Sequence, residues 1–195
     1  MTTERLTRLL ERIDQLNRED PTTELIRGVA TPREFVYSQR LTDWVLRLNP
    51  GASEALRIAA RGQHLCRWLI PRDRYERNRR GYLRWRETLK RFHADKVAAL
   101  MREVGYPDDL AQSVQSLITK RCVPGDPEAQ TLEDALCLVF LETQFADLRG
   151  KTPEATMKEV LRKTWKKMSE RGRAEALRLR LGEAERKLLT QSLGA

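Results

Sequence analysis

Apolar residues recur every three or four positions along most of the chain, which is the spacing of one face of an α-helix. The first such segment carries Leu6, Leu9, Ile13 and Leu16. It stops before Pro21, because proline disfavours helix at the residue that precedes it. We find no convincing strand pattern in any segment. The spacing therefore predicts an all-α protein, with about seven or eight helices around one core.

The second and third predicted helices lie on either side of a proline–glycine turn. Thr31 and Pro32 are followed by Glu34, which is a strong helix-start signal, and the helix then runs to Leu48. The third helix, LRIAARGQHLCRW and its flanks, is predicted over residues 54–69. Further helices are predicted over residues 81–103, 110–120, 129–147, 153–168, 170–177 and 181–193.

The length of the chain fits one domain. Its 195 residues suffice for one sizeable core and are too few for two. We therefore predict one helical domain over residues 1–195, in which helices from residues 153–195 pack on the rest.

The charge of the chain favours anionic partners. Lys and Arg number 37 against 28 Asp and Glu, which gives a net charge of +9. The basic residues are spread over the whole chain, so a solvated basic surface explains the same excess. No RNA-binding signature or helix-turn-helix spacing is present, which disfavours a nucleic-acid partner.

Cysteine usage and hydropathy suggest a cytoplasmic protein. Cys66, Cys122 and Cys137 form no CxxC pair, which excludes a zinc ribbon or thioredoxin motif, and their odd number favours a reducing compartment. The N-terminus is charged and amphipathic, unlike a secretory leader. No apolar run approaches the roughly 18 residues of a membrane span, so we expect no membrane partner.

Several polar residues interrupt the apolar faces of the predicted helices. Burying each one costs several kcal/mol unless it has a partner. Either histidine alone is consistent with a structural role, but one shared interior cluster explains the whole set more simply. The set consists of Tyr37, His64, His93, Lys120, Asp134 and Glu142.

The order of these residues resembles the HD superfamily of helical, metal-dependent phosphohydrolases. The segments that carry the resemblance cover residues 36–142, and they are YSQRLTDWVLRL, LRIAARGQHLCRW, FHADKVAALMREVGY, VQSLITKRC and EAQTLEDALCLVFLE. The resemblance implies an HD-like helical bundle and phosphoester hydrolysis. It also implies that His64, His93 and Asp134 are the catalytic residues and the ligands of one divalent metal, such as Mn, Fe, Ni or Zn.

The chain departs from the HD pattern at three ligand positions. Tyr37 stands where the family has its first histidine, Leu65 replaces the aspartate of the His–Asp pair, and Lys120 or Arg121 replaces a later histidine. Only His64, His93 and Asp134 remain, fewer than the four to six donors that such a metal prefers. An inward Lys120 ammonium would also repel the cation.

A second resemblance covers more of the chain, from Asn17 to Leu177. The phrases QHLCRWLIPR, GYLRWRETLKRFHA, EDALCLVFLE and RKTWKKMSERGRAEAL are similar to the family named domain of unknown function 4202. This family name implies no activity.

Basic and aromatic residues near the histidines suggest an anion pocket. Arg86 and Lys90 precede His93 by about two turns and one turn, so they share its helix stripe. Arginine forks suit phosphate or carboxylate oxygens, and tyrosine can stack on a base. Surface charge and core packing explain any one of these residues equally well. The predicted binding residues are Arg67, Arg86, Lys90, Lys120, Tyr37, Tyr82 and Glu142.

Together these features predict a remodelled HD-like site that binds an anionic small molecule, phosphorylated or nucleotide-like, and hydrolyses a phosphoester. Two alternatives stay open: a pseudo-enzyme that binds the ligand without turnover, and an RNA-associated factor. The substrate, the pathway and the oligomeric state do not follow from the sequence.

Overall fold

Helices account for most of the chain, as the spacing of apolar residues predicts. The computed structural model describes residues 2–193. Within that range ten α-helices surround one hydrophobic core, which confirms the all-α, single-domain prediction, although the count exceeds the seven or eight helices expected. They are α1 (Thr2–Asn17), α2 (Arg33–Leu48), α3 (Glu54–Gly62), α4 (Arg79–Glu103), α5 (Asp108–Thr119), α6 (Pro127–Thr143), α7 (Phe145–Lys151), α8 (Glu154–Lys167), α9 (Glu170–Arg178) and α10 (Glu183–Leu193).

The expectation that no strand is present was wrong. A short antiparallel hairpin, β1 (Thr23–Ile26) and β2 (Val29–Pro32), leads directly into α2. Its turn places Arg27 and Gly28 at positive φ, which is typical of tight hairpin turns. Asp20 ties the hairpin to α2, because its carboxylate accepts hydrogen bonds from the backbone N–H groups of Thr22 and Glu34. Four-residue strands with exposed apolar side chains give little periodic signal.

Helix α3 is the centre of the fold. It contacts α1, α2, α4, α5 and α6, and its Leu56, Ile58 and Ala60 are fully buried. Gly62 lets α3 approach α4 closely, because a Cβ atom at this position would lie 2.3 Å from Cγ2 of Val97. His64 lies two residues after the end of α3, and His93 lies within α4, so the close packing of these two helices positions both histidines.

The predicted continuation of α3 to Leu69 was wrong. The α-helix ends at Gly62, and the chain turns through Cys66, which has a left-handed backbone (φ 54°). A short 3-10 helix then spans Arg67–Leu69. In the segment after the end of α3, the Leu65 carbonyl forms a hydrogen bond with the ring of His93, which belongs to α4.

The C-terminal helices cover one side of α6. Both α8 and α9 contact α6, and α10 packs on α8. Helix α6 ends at Thr143, before the predicted end at residue 147, and α7 occupies part of the predicted break. None of the helices in the described part of the chain is long and apolar enough to cross a lipid bilayer.

Candidate functional site

The structure brings three of the predicted cluster residues together. Tyr37 of α2 stacks on His64, with ring centroids 3.9 Å apart and ring planes 6° from parallel. The ring of His93, from the middle of α4, has its centroid 5.9 Å from that of His64. Three elements that are distant in sequence therefore place one phenol and two imidazoles side by side.

A carboxylate that the sequence did not reveal belongs to this group. Oε2 of Glu34 lies 3.0 Å from Nδ1 of His64, and its Oε1 lies 3.7 Å from Nε of Arg67. Glu34 is only 7% exposed. The sequence indicated it solely as a helix-start residue. Glu34 lies one helical turn before Tyr37, on the same face of α2, and this spacing is the sequence signal that could have placed it in the site.

The Glu34–His64 pair fixes the chemistry of the His64 ring. Burial, together with Arg67 and Arg86, lowers the pKa of His64 despite the opposing effect of Glu34, so the imidazole is neutral at neutral pH. Burial alone would raise the pKa of Glu34, but His64, Arg67 and Arg33 together bring it below its ordinary value. The ionised carboxylate therefore accepts the Nδ1–H of His64, and Nε2 carries the free lone pair.

His93 has the same tautomer for a different reason. Its Nδ1 lies 2.9 Å from the backbone oxygen of Leu65, which can only accept, so Nδ1 carries the hydrogen. Burial, with contributions from His64 and Arg67, lowers the pKa of His93 to about 3. Nε2 of His93 is buried and has no hydrogen-bond partner among residues 2–193.

Both histidines line a cavity of about 430 Å³. Five cationic side chains and one carboxylate, Glu133, border it within the described part of the chain. The cations are Arg67, Arg86, Lys90, Lys120 and Lys167. Six of the seven predicted binding residues line this cavity, since Tyr37 and Tyr82 also border it. Glu142 does not, because its carboxylate accepts a hydrogen bond from Trp44 Nε1 at 2.9 Å.

The one carboxylate that lines the cavity is held between two lysines. Glu133 forms an ion pair with Lys120 and another with Lys167, whose Nζ is 3.6 Å from Oε1 of Glu133. Burial raises the pKa of Glu133, but the two ammonium groups bring it below its ordinary value. Glu133 is not among the residues predicted for the site, and it lines the cavity next to the predicted Asp134 in sequence.

The structure does not bring Asp134 into the cavity. Its carboxylate accepts hydrogen bonds from the backbone N–H of Ser169 at 2.8 Å, from the Ser169 hydroxyl and from Gln130 Nε2 at 3.0 Å. It thereby joins α6 to the N-terminus of α9, where Ser169 is the cap residue. Asp134 therefore has a structural role, whereas the preceding residue, Glu133, lines the cavity.

The donors around the cavity do not fit a divalent metal. The ligand set His64, His93 and Asp134 is not assembled, and no group of three or more His, Cys, Asp or Glu within residues 2–193 could hold a metal ion. The two imidazoles share their cavity with five cations. A doubly charged ion would be repelled by these groups at short range.

A comparison with known families agrees with the second resemblance. Residues 7–189 match the family model described as Domain of unknown function (DUF4202). No curated protein and no solved structure gives a match. The HD resemblance stays a prediction. Because the matched segment covers nearly the whole chain, the protein belongs to the family domain of unknown function 4202.

Proposed function

We propose that the central cavity binds a phosphorylated small molecule of nucleotide size. The observation that supports this most directly is the excess of five cationic side chains over one carboxylate around a common space. Its volume of about 430 Å³ is in the range of ligand pockets, about 300–1,000 Å³. In such a sheltered space each cation attracts an anion more strongly than it would in bulk water.

Two arginines are held in place before any ligand arrives. The Arg67 guanidinium lies over the ring of Trp85, 4.7 Å from its centroid, and is next to the Glu34 carboxylate. Arg86 donates a hydrogen bond to the Tyr82 hydroxyl at 3.1 Å. A guanidinium that is already oriented loses less side-chain entropy when it binds phosphate oxygens.

The cavity also has apolar walls that suit the rest of a nucleotide-like molecule. Leu89, Leu136, Phe140 and Val160 border the same space as the cations. A ligand with an anionic group and an aromatic or apolar body would fit these two kinds of surface together. Ligand pockets commonly combine such walls with a few polar groups that fix orientation.

The Glu34–His64 pair supports hydrolysis of the bound phosphoester as the reaction. Nε2 of His64 accepts a proton from water while the water oxygen forms the new bond to phosphorus. The ester P–O bond breaks, and the proton passes from His64 to the leaving oxygen. Glu34 stabilises the imidazolium that forms, and the surrounding cations stabilise the charge on the phosphoryl oxygens.

Binding is tested by calorimetry with adenosine 5′-monophosphate and adenosine as the two ligands. We expect the monophosphate to bind and adenosine to bind much more weakly. Arg86→Gln should weaken monophosphate binding by a factor between about 10 and about 150, because a charge-assisted hydrogen bond contributes about 1.5–3 kcal/mol. Arg84→Gln is the matched control, since this exposed arginine lies on the same helix but does not line the cavity. Equal binding of both ligands, or equal losses in both variants, would contradict the proposal.

Turnover is tested separately by phosphate release from the same monophosphate. Glu34→Gln should lower the rate more than the affinity, because Glu34 acts on His64 and not on the phosphate. Binding without phosphate release in the unaltered protein would leave a non-catalytic binding module as its function.

A further inference from the structure

Two buried acceptor atoms, which belong to residues that line the cavity, have no hydrogen-bond partner within residues 2–193. One is Nε2 of His93 and the other is Oε1 of Gln63. Both residues line the cavity, and they are only 2% and 7% exposed. Buried polar atoms in folded proteins are nearly always paired, so two orphan atoms on one cavity point to a missing partner.

Neither atom can be satisfied by a phosphate oxygen. Nδ1 of His93 carries the hydrogen, because it contacts the Leu65 carbonyl, so Nε2 presents a lone pair. Oε1 of Gln63 is an amide carbonyl oxygen, which also only accepts. Phosphate oxygens at neutral pH are acceptors as well. The cations that line the cavity can hold the anionic group, but these two atoms require donors.

The position of the His93 ring agrees with a role in ligand contact. Its Nδ1 contacts the Leu65 backbone, and His93 also lines the cavity, so Nε2 is the ring nitrogen that stays free for a ligand. Gln63 immediately precedes His64, and both residues line the cavity. The two acceptors therefore belong to the same site as the cations and the base.

We propose that the ligand carries hydroxyl or N–H donors beside its phosphate, and that His93 and Gln63 recognise them. The ligand class is a hydroxyl-bearing phosphoester, such as a ribonucleotide or a sugar phosphate. This inference rests on the proposed binding function and assigns His93 and Gln63 as specificity-determining residues. A site with unpaired acceptors rejects an analogue that lacks the matching donors, because the acceptors then stay buried and unpaired.

The test compares two ligands that differ only in the sugar hydroxyls. Calorimetry measures the affinity of adenosine 5′-monophosphate and of 2′,3′-dideoxyadenosine 5′-monophosphate for the unaltered protein. We expect the dideoxy compound to bind about tenfold more weakly or worse. Equal affinity for the two phosphates would overturn this inference and leave phosphate binding intact. Loss of the difference between monophosphate and adenosine would instead overturn the proposed function.

Two variants show whether the assigned residues are responsible. His93→Phe keeps the ring and removes the acceptor, and Gln63→Met keeps most of the side-chain volume without the carbonyl. Each should reduce the preference for the hydroxyl-bearing ligand, mainly by weakening its binding, while the dideoxy compound binds as before. Undiminished preference in both variants would show that the hydroxyls are recognised elsewhere and would overturn the assignment. The two variants are independent, so misfolding of one leaves the other as the test.

Discussion

Glu34 shows at the scale of single residues what decides the chemistry of the site. Both histidines were predicted as site residues, but an imidazole can be a base, an acid or a structural group, depending on its Nδ1 partner. The partner of His64 is a carboxylate and the partner of His93 is a backbone carbonyl. This difference suits His64 to accept a proton reversibly and keeps His93 a neutral acceptor.

The ion pairs of Glu133 lead to a prediction about ligand affinity. Glu133→Gln should tighten binding of adenosine 5′-monophosphate about fivefold, the factor that about 1 kcal/mol gives, because Lys120 and Lys167 lose their carboxylate partner and become available to phosphate. Calorimetry measures the change. Glu154→Gln is the control, since it removes an exposed ion pair with Lys158 outside the cavity. Weaker binding by Glu133→Gln would show that the carboxylate itself contacts the ligand.

At the scale of elements, the sequence predicted the helices well and their contacts poorly. Apolar spacing located the helices, because each must bury one face. The end of α3 could not be predicted in this way, since residues 63–69 continue the helical pattern but the Leu65 carbonyl bonds to His93 of a different helix. The sequence also could not show which of the two carboxylates, Glu133 or Asp134, lines the cavity. They are adjacent on α6, and only the docking of α9 shows which of them is withdrawn from the cavity.

The contact between α6 and α9 predicts a structural effect for Asp134. Asp134→Asn should lower the free energy of unfolding by about 1–3 kcal/mol, because the amide keeps only one acceptor oxygen, whereas the two carboxylate oxygens accept separately from the Ser169 N–H and from its hydroxyl. Urea denaturation measures this loss. The affinity of the folded variant for adenosine 5′-monophosphate should stay unchanged. Unaltered stability with lost binding would instead place Asp134 in the site.

At the scale of the whole molecule, the burial of titratable side chains makes the free energy of unfolding depend on pH. The pKa of His93 falls to about 3 on folding, from an ordinary value of 6.5 in the unfolded chain. Between these values the unfolded chain binds a proton that the native protein does not. The free energy of unfolding therefore falls as the pH falls through this window, and it is fully regained above the unfolded pKa. His64, whose pKa is also lowered, adds to the same trend.

The size of this effect can be measured by comparing the protein with His93→Phe. Below the ordinary histidine pKa, His93 should cost about 1.4 kcal/mol of stability for each pH unit, and the variant should lack this contribution. Urea denaturation between about pH 7 and pH 5 measures both slopes while most carboxylates stay ionised. His64 titrates in both proteins, so the difference between the slopes isolates His93. Identical slopes would mean that His93 takes up protons in the native state. In that case Nε2 would be a donor, suited to phosphate, and the assignment of His93 to a ligand hydroxyl would fail with it.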